Sequence, residues 1–505
     1  MKLFTTTIVS LTTKPKFSQQ ENGTSKTVFR KPSIIFNSIL LLAFVSFTAC
    51  DTVDFGTVNE IPNSPTEAST ASLLTTAEKT VSGYIGSATS NCYVQYLSNG
   101  QYDEESRYQT LNWSPNGYYS ALVNLDRIIE LNQSEDTKVA AAANGSNANQ
   151  IAAATILRVY YYHGMTDRWG MLPYSDALKG LDAQYPVYDS QQAIYTGLFA
   201  ELDGALAMID NGAGPTGDFI FGGDMDAWRT FGNTIKMTMA LRLSNADPST
   251  GNSKFNQAMN GAISSNGDNL YYPYLSENAN DNPWEDRFET RRDYLLSDTF
   301  VNAMIGNGTS ALPEDPRLEK MGEPSYNSGV FVGAPYGESN SATDDYSFIT
   351  DDIINKGDAP LYMYTAAEVA FAKAEAAAHG WTSGNAEALY KEGIMLSMEQ
   401  WGVDSAAAQA YADNATYGGL EDIAYEKWVA QYLQGYNSWA EWRRTKAMGY
   451  EVPLTAPDDL LSNATGIPQR HGYLATASAL NEDNYNAAVA AQGPDNLDTV
   501  LWTNK

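Results

Sequence analysis

The sequence predicts a mainly α-helical fold in which four helix pairs of the tetratricopeptide type support an irregular, loop-rich region with little strand. Three observations lead to this prediction. Apolar residues recur at helical spacing in several separated stretches. Small and large residues alternate along neighbouring helices, as closely packed helix pairs require. Residues 250–360, in contrast, are rich in Gly, Pro, Asn, Asp and Tyr.

The clearest pair occupies residues 362–401. Thr365 and Glu368 form a capping box, which begins the first helix. Gly380 ends that helix, because glycine accepts the left-handed backbone of a helix C-terminus. Asn385 then caps the second helix, whose inward stripe consists of small and aromatic residues. We expect the two helices to pack closely and antiparallel.

The other predicted pairs are less regular and share no strict 34-residue period. They comprise residues near 118–132 with 150–163, 189–209 with 226–244, and 420–434 with 437–448. Within 250–360 only two short segments look helical, so this long insertion is irregular. Such a length of irregular chain inside a domain is uncommon and usually functional, and loops on a rigid scaffold commonly carry binding.

Acidic residues greatly outnumber basic ones. The formal net charge is −29, and residues 1–49 carry six basic residues and one acidic residue. The rest of the chain is therefore even more acidic. A surface of this kind is a poor partner for nucleic acid, and it suits solubility or a neutral or cationic ligand.

The N-terminal segment has the features of an export signal. A basic flank precedes an apolar run that is too short for a comfortable membrane-spanning helix. Small residues then lead to Cys50, which predicts a signal peptide of the lipoprotein type at 1–49 and a lipidated Cys50. An ordinary signal peptide with an incidental cysteine is the alternative. Residues 50–70 are polar and predict a tether, followed by a single domain over 71–505.

Nothing in the sequence indicates catalysis. The three histidines are His163, His379 and His471, each followed by glycine, and no nucleophile elbow or metalloprotease motif is present. Carboxylate pairs such as Asp344-Asp345 could bind Ca²⁺ through oxygen ligands. In a chain this acidic we interpret them as solvated loop charge, and we predict no catalytic residue, no metal site and no cofactor.

Aromatic and polar residues in three loops are the candidates for ligand binding. Sugar rings stack their C–H faces on aromatic side chains, while Asn, Asp and Arg bind the hydroxyl groups. The candidate residues are Trp113, Asn116, Trp284, Tyr294, Asp103, Arg107 and Tyr108. The alternative for each ring is that it packs its loop onto the scaffold.

Six stretches in a fixed order point to a known family. They are Cys50 with DFGTVNEIPNSPT, TDRWGMLPYSDAL at 166–178, DMDAWRTFGNTIKMTMALRL at 224–243, YTAAEVAFAKAEAAAHGW at 364–381, EKWVAQYLQGYNSWAEWRRT at 426–445, and GIPQRHGYLATASALNEDNY at 466–485. With them, the chain resembles the SusD/RagB-type nutrient-binding outer-membrane lipoproteins, in particular the second SusD-like group. The resemblance extends over about residues 50–505.

This resemblance implies a function as well as a fold. It implies a surface-exposed, lipid-anchored, non-enzymatic protein of the outer membrane that captures oligosaccharide for a SusC-like TonB-dependent transporter. In starch-binding relatives, an aromatic residue and an Asn at the place of Trp113 and Asn116 help to hold the ligand. Peptide as the ligand remains an alternative, as do a glycan hydrolase and a scaffold that binds only protein.

Overall fold

Helices account for about half of the residues that the structure describes, and the strands are few and short. The computed structural model describes residues 68–306, 314–340 and 342–505. Its helices are α1 (Thr70–Ile85), α2 (Ala88–Tyr93), α3 (Asn116–Gln133), α4 (Lys138–Ala141), α5 (Asn147–Trp169), α6 (Gln191–Met208), α7 (Met225–Arg242), α8 (Pro248–Ala258), α9 (Pro283–Phe288), α10 (Asp298–Met304), α11 (Leu318–Met321), α12 (Asp351–Ile354), α13 (Ala366–Ala378), α14 (Ala386–Gln400), α15 (Ser405–Asn414), α16 (Leu420–Ala430), α17 (Gly435–Met448), α18 (Ala477–Leu480) and α19 (Glu482–Gln492). The predicted class, mainly α with little strand, is confirmed.

The strands of the described residues form three separate antiparallel pairs. They are β1 (Leu97–Asn99) with β3 (Tyr294–Leu296), β2 (Leu270–Tyr272) with β6 (Leu361–Tyr364), and β4 (Gly322–Glu323) with β5 (Phe348–Ile349). In the first pair Leu97 lies opposite Leu296, and Asn99 lies opposite Tyr294. The loop that follows β1 therefore starts beside the end of the segment that precedes β3.

The predicted signal peptide (1–49), the lipidation site Cys50 and nearly all of the predicted tether (50–70) lie outside the described residues. Helix α1 begins at Thr70, where the Ser69 side chain accepts a hydrogen bond from the Ser72 backbone N–H. In the described part of the chain, no helix has both the length and the apolar character needed to cross a bilayer.

The helix pair predicted at 362–401 is present as α13 and α14, which pack closely against each other. Both halves of the predicted capping box form between Thr365 and Glu368. Gly380 has a φ of +72°, as predicted for the residue that ends α13. A Cβ at Gly393 would lie 2.7 Å from the Phe371 ring, so only glycine permits this separation of the two helices.

Several other helices have partners that the sequence did not predict. Helix α3 packs against α5 as expected, but it also packs against α1, a helix that was not predicted. Helix α6 packs mainly against α5, α7 mainly against α8, α16 mainly against α13, and α17 mainly against α2. Periodicity locates a helix and its apolar face, whereas the neighbour that covers this face depends on residues distant in sequence.

A network of buried charges joins four of these helices. The Arg444 guanidinium of α17 donates to both carboxylate oxygens of Glu375 in α13, at 2.6 and 2.8 Å, and to Glu441 at 2.5 Å. Arg242 of α7 also pairs with Glu441, and its Nε donates to Asp167 of α5 at 3.2 Å. All five side chains are buried. Because a buried charge is stable only when paired, the network restricts how these helices can be placed.

The buried carboxyl group of Glu78 links α1 to the loop before α7. Glu78 is fully buried, and its Oε2 accepts a hydrogen bond from the Phe219 backbone N–H at 2.9 Å. Asp218 lies beside it and accepts hydrogen bonds from the Gly223 backbone and the Trp228 indole. Burial, together with the negative charge of Asp218, raises the pKa of Glu78 to about 10. The Glu78 carboxyl is therefore protonated in the folded protein at neutral pH.

The Glu78→Gln substitution tests this protonated carboxyl. An unfolded chain releases the Glu78 proton near its ordinary pKa of 4.5, whereas the folded protein holds it to about 10. This carboxyl thus makes the wild type less stable as pH rises between these values. We expect the free energy of unfolding of the E78Q protein, relative to wild type, to increase with pH by up to about 1.4 kcal/mol per unit. Urea unfolding at mildly acidic, neutral and mildly alkaline pH measures this difference, and a constant difference would contradict the prediction.

Candidate ligand-binding surface

Trp113 lies in the loop that leads into α3, on a support made by the C-terminal part of the chain. Its backbone N–H donates to the Gly472 carbonyl at 3.1 Å, and its indole N–H donates to the Thr110 carbonyl at 3.2 Å. The indole stacks on the His471 ring, with centroids 4.6 Å apart and planes at 15°. Trp113 is only half-buried, so the exposed part of its ring lies on the side away from His471.

His471 is an uncharged support for this indole. The ring is fully buried and is also packed against Trp169 and Trp439, each with its centroid 5.2 Å away. Burial lowers the pKa of His471 well below its usual value, and three guanidinium groups act in the same direction, those of Arg168, Arg443 and Arg470. The imidazole therefore stays neutral, and the Trp113 platform does not change charge near neutral pH.

An open cavity of about 250 Å³ lies at the start of α3. It is lined by Pro115, Asn116, Tyr119, Trp169, Leu172, Pro173, Gln184, Pro186, Tyr188, Tyr473, Leu474, Ala477, Leu480 and Asn481, and we call it the aromatic cavity. Trp169 belongs to its wall and also packs on His471, and Asn116 is three residues after Trp113. The Trp113 platform and the aromatic cavity are thus adjacent parts of one surface.

Few polar groups in the aromatic cavity are free to bind a ligand. The Tyr119 hydroxyl donates to the Pro173 carbonyl, and the Tyr473 hydroxyl donates to the Met171 carbonyl. The side-chain amides of Asn116 and Gln184 are exposed and have no hydrogen-bond partner within the described part of the chain. The Asn116 and Gln184 amides, together with the Tyr188 hydroxyl, which has no partner among the described residues, are consequently the groups available for a polar ligand.

The remaining predicted residues form a second group around β1 and β3. Arg107 donates to the Asp103 carboxylate at 2.8 Å and to the Asp459 carboxylate at 2.6 Å, so its charge is already balanced. The Tyr294 hydroxyl donates to Glu105 at 2.8 Å. This group links the 101–109 loop to β3 and to the 459–461 loop, and its side chains are largely engaged with one another.

Two of the predicted ligand-binding residues are buried, which corrects the expectation that their rings contact a ligand. Trp284 is 0% exposed and packs edge-to-face against Tyr294, with centroids 5.7 Å apart. Tyr108 is 1% exposed and lies in the main core. Neither ring has surface to offer in this conformation. Both follow the alternative considered above, in which aromatic side chains pack their loops onto the scaffold.

A buried aromatic row connects the two groups. The Tyr93 ring contacts Tyr108 at a centroid distance of 5.6 Å and His471 at 6.0 Å, and His471 in turn supports Trp113. Of the predicted site residues, Trp113 and Asn116 are brought together at the aromatic cavity. Tyr108 is the other end of this row, and Asp103, Arg107, Trp284 and Tyr294 belong to the group around β1 and β3.

The described residues show no arrangement suited to nucleophilic catalysis at this surface. No residue that lines the aromatic cavity carries a carboxylate or an imidazole. Cys92 is fully buried, and burial raises the pKa of its thiol well above the usual value. The oxygen atoms of Asp281, Glu285 and Glu289 lie within 4.8 Å of one another, the one such acidic group in the described part. It lies away from the lining of the aromatic cavity.

Most residues of the aromatic cavity have no recognisable signature in the sequence. Trp169 and Tyr473 belong to motifs quoted above for the family resemblance, but nothing in their spacing marks them as neighbours. Gln184 and Tyr188 come from a loop after α5 that has no helical or strand periodicity. The one available signal was the concentration of Tyr and Pro in residues 173–188.

The fold and the surface cavity define a mainly α-helical protein that carries an open cavity near a half-exposed tryptophan. Within that class, residues 62–473 match the SusD-like family, second group, described as "Starch-binding associating with outer membrane". The protein belongs to this family, as the resemblance predicted. No curated protein matches the chain.

Solved structures of similar fold agree with this assignment. A SusD homologue from Bacteroides fragilis NCTC 9343 has a TM-score of 0.74 and 21% identity, and the match covers 87% of this chain and 100% of that one. A chitin-binding protein has a TM-score of 0.73 and 23% identity, with 86% and 100% covered. A chitin-binding SusD homologue from Flavobacterium johnsoniae has a TM-score of 0.69 and 21% identity, with 86% and 98% covered. At these identities the structures establish the fold.

Alanine substitutions of the two tryptophans test their different placement. We expect Trp284→Ala to lower the free energy of unfolding by about 3–5 kcal/mol, because it removes a fully buried ring. Trp113→Ala removes a half-exposed ring, and its cost is expected near 1 kcal/mol. Urea unfolding of the two variants measures both effects. Equal losses would contradict the assignment of Trp284 to the core and Trp113 to the surface.

Proposed function

We propose that the protein is a non-enzymatic, cell-surface lipoprotein that captures an oligosaccharide at the Trp113 platform and the aromatic cavity. It delivers this ligand to a SusC-like TonB-dependent transporter of the outer membrane. One observation carries the proposal: a neutral, buried His471 supports one face of the half-buried Trp113 ring, and the adjacent aromatic cavity is lined by the free Asn116 amide.

The chemistry of this surface suits a sugar. An aromatic ring offers an apolar, electron-rich face to the C–H bonds of a pyranose, and an adjacent amide can both donate to and accept from its hydroxyl groups. Because His471 holds the indole from beneath, little side-chain freedom is lost on binding. The family is described as starch-binding and two structural relatives are described as chitin-binding, which supports a glycan over a peptide.

Capture without chemistry is favoured over hydrolysis. Glycosidases use two carboxyl groups on either side of the scissile bond, about 5–10 Å apart. The described residues that line the aromatic cavity include no Asp or Glu. A ligand bound there would meet stacking and hydrogen-bonding groups but no general acid.

The proposed role in import rests on the family and on the N-terminal sequence. The family is described as associating with the outer membrane, and Cys50 would carry the lipid. A lipid anchor would hold the binding protein near the transporter and raise the effective concentration of the pair. Captured ligand would then pass to the transporter over a short distance.

Replacing Trp113 tests the binding surface. We expect Trp113→Ala to weaken oligosaccharide binding at least tenfold, because the stacking face is lost, while the protein remains folded. Isothermal titration with the oligosaccharides that bind the wild type, selected on glycan and peptide arrays, measures the effect.

Trp381→Ala is the matched control, since Trp381 is also half-buried but packs on Phe255, away from the aromatic cavity. We expect its affinity to equal that of the wild type. Unchanged oligosaccharide affinity of the Trp113→Ala protein would reject the proposed binding surface. If the wild type binds peptides and no oligosaccharide, the ligand is a peptide instead of a glycan.

Membrane attachment can be tested at Cys50. We expect Cys50→Ala to abolish incorporation of a labelled fatty acid and to move the exported protein from the membrane fraction to the soluble fraction. Cys92→Ala is the control, because the Cys92 thiol is buried and unmodified in this proposal. Continued membrane attachment of the Cys50→Ala protein would contradict lipidation at this residue.

A further inference from the structure

The aromatic cavity has a composition that selects among oligosaccharides. Its walls are tyrosine, tryptophan, proline, leucine and alanine side chains, and none of the described residues that line it is charged. In a chain with a net charge of −29, this absence is a local feature of the surface. A charged sugar entering the cavity would lose hydration and find no counter-charge there.

The free polar groups of the cavity are two amides, which lie on different chain segments, and one hydroxyl. Asn116 begins α3, whereas Gln184 lies in the loop between α5 and α6. An amide side chain pairs well with another amide, since each offers an N–H donor and a carbonyl acceptor. Tyr188 adds a hydroxyl that has no partner among the described residues, and burial raises its pKa, so it remains a donor.

A ligand binds favourably against the apolar walls only if it places an apolar group there. A sugar that carries only hydroxyl groups would place them against Leu474, Ala477 and Leu480 without hydrogen-bond partners, which is unfavourable. An acetamido group instead presents a methyl group to these side chains and an amide to Asn116 or Gln184. The cavity volume of about 250 Å³ lies below the range typical of drug-sized ligands, roughly 300–1,000 Å³, and suits one substituted sugar residue.

The rim of the cavity is also lined by apolar and aromatic side chains. Leu480 is 67% exposed, and Tyr185 is 68% exposed in the loop that forms the opposite edge. This loop is fastened to the start of α19, where the Asn481 side chain donates to the Pro186 carbonyl at 2.7 Å and the Asn484 side chain donates to the Tyr185 carbonyl at 2.9 Å. The rim is therefore held in place and continues the apolar surface beyond the cavity.

From this composition we infer that the aromatic cavity is a subsite for an uncharged acetamido sugar, so that the protein prefers N-acetylated oligosaccharides to their unacetylated or charged counterparts. The inference rests on the proposed function and adds the ligand class. Stacking on Trp113 serves any pyranose, whereas the aromatic cavity discriminates by the substituent at the neighbouring residue.

A matched ligand series tests this preference. Isothermal titration is performed on the purified protein with β-1,4-linked pentamers of N-acetylglucosamine, glucose and glucosamine, and with an N-acetyllactosamine-type oligosaccharide. We expect the N-acetylated pentamer to bind at least tenfold more tightly than the glucose pentamer, and the cationic glucosamine pentamer to bind most weakly. The N-acetyllactosamine-type oligosaccharide distinguishes a homopolymer of N-acetylglucosamine from a mixed polymer that carries the same acetamido group, and tighter binding of either one than of the glucose pentamer supports the inference.

Three variants test whether the preference arises in the cavity. Ala477→Met narrows the cavity, and Ala479→Met places the same side chain at an exposed position of the same helix as a control. We expect the first variant to lose most of the preference for the N-acetylated pentamer and the second to keep it. Tyr188→Phe, which changes no volume, is expected to reduce the preference several-fold.

The outcomes separate this inference from the proposed function. Equal or tighter binding of the glucose pentamer, or a preference that survives both Ala477→Met and Tyr188→Phe, overturns the acetamido subsite and leaves oligosaccharide capture intact. Failure of the wild type to bind any oligosaccharide, on the series or on a glycan array, overturns both. A preference lost in Ala477→Met and kept in Ala479→Met supports the inference.

Discussion

The buried pairing of Arg444 with Glu375 and Glu441 is the interaction on which the rest of the structure depends. It lies where α13, α17 and α7 meet, and Arg242 continues it to Asp167 in α5. Removing one partner of such a pair leaves an unpaired buried charge, which typically costs about 3–5 kcal/mol. Hydrophobic contact alone would allow these helices to slide, whereas alternating charges have one arrangement in which all are paired.

The same junction determines where the binding surface lies. The Arg443 guanidinium donates to the Asp167 and Gln469 backbone carbonyls at 2.7 and 2.8 Å. The backbone N–H of His471 donates to the Arg168 carbonyl at 2.8 Å. Buried hydrogen bonds thus hold the 467–473 loop against α5 and α17. His471 is fixed beneath Trp113 because its backbone is fixed, and the position of the indole follows from the charge network several residues away.

The parts of the structure that could be predicted from sequence are those determined by neighbours along the chain. Thr365, Glu368 and Gly380 act within one or two helical turns, so their roles were predictable. Trp284 was different: an aromatic residue in a polar loop can be exposed or buried, and its burial depends on pairing of β1 with β3. The aromatic cavity lies between α3 and the segments near residues 184 and 477. No local sequence pattern predicts that these segments lie close together. Family motifs covered part of the aromatic cavity without revealing which residues face it.

The contrast between the cavity and the rest of the chain explains how a strongly acidic protein can be selective for a neutral ligand. The sequence has 60 acidic and 31 basic residues. Exposed carboxylates repel anionic polymers at a distance and keep the protein soluble. Close contact is made instead by Trp113, Asn116 and the uncharged walls beside them. The negative charge of the protein thus disfavours anionic ligands before contact. Stacking, apolar packing and amide pairing then select among the uncharged ligands.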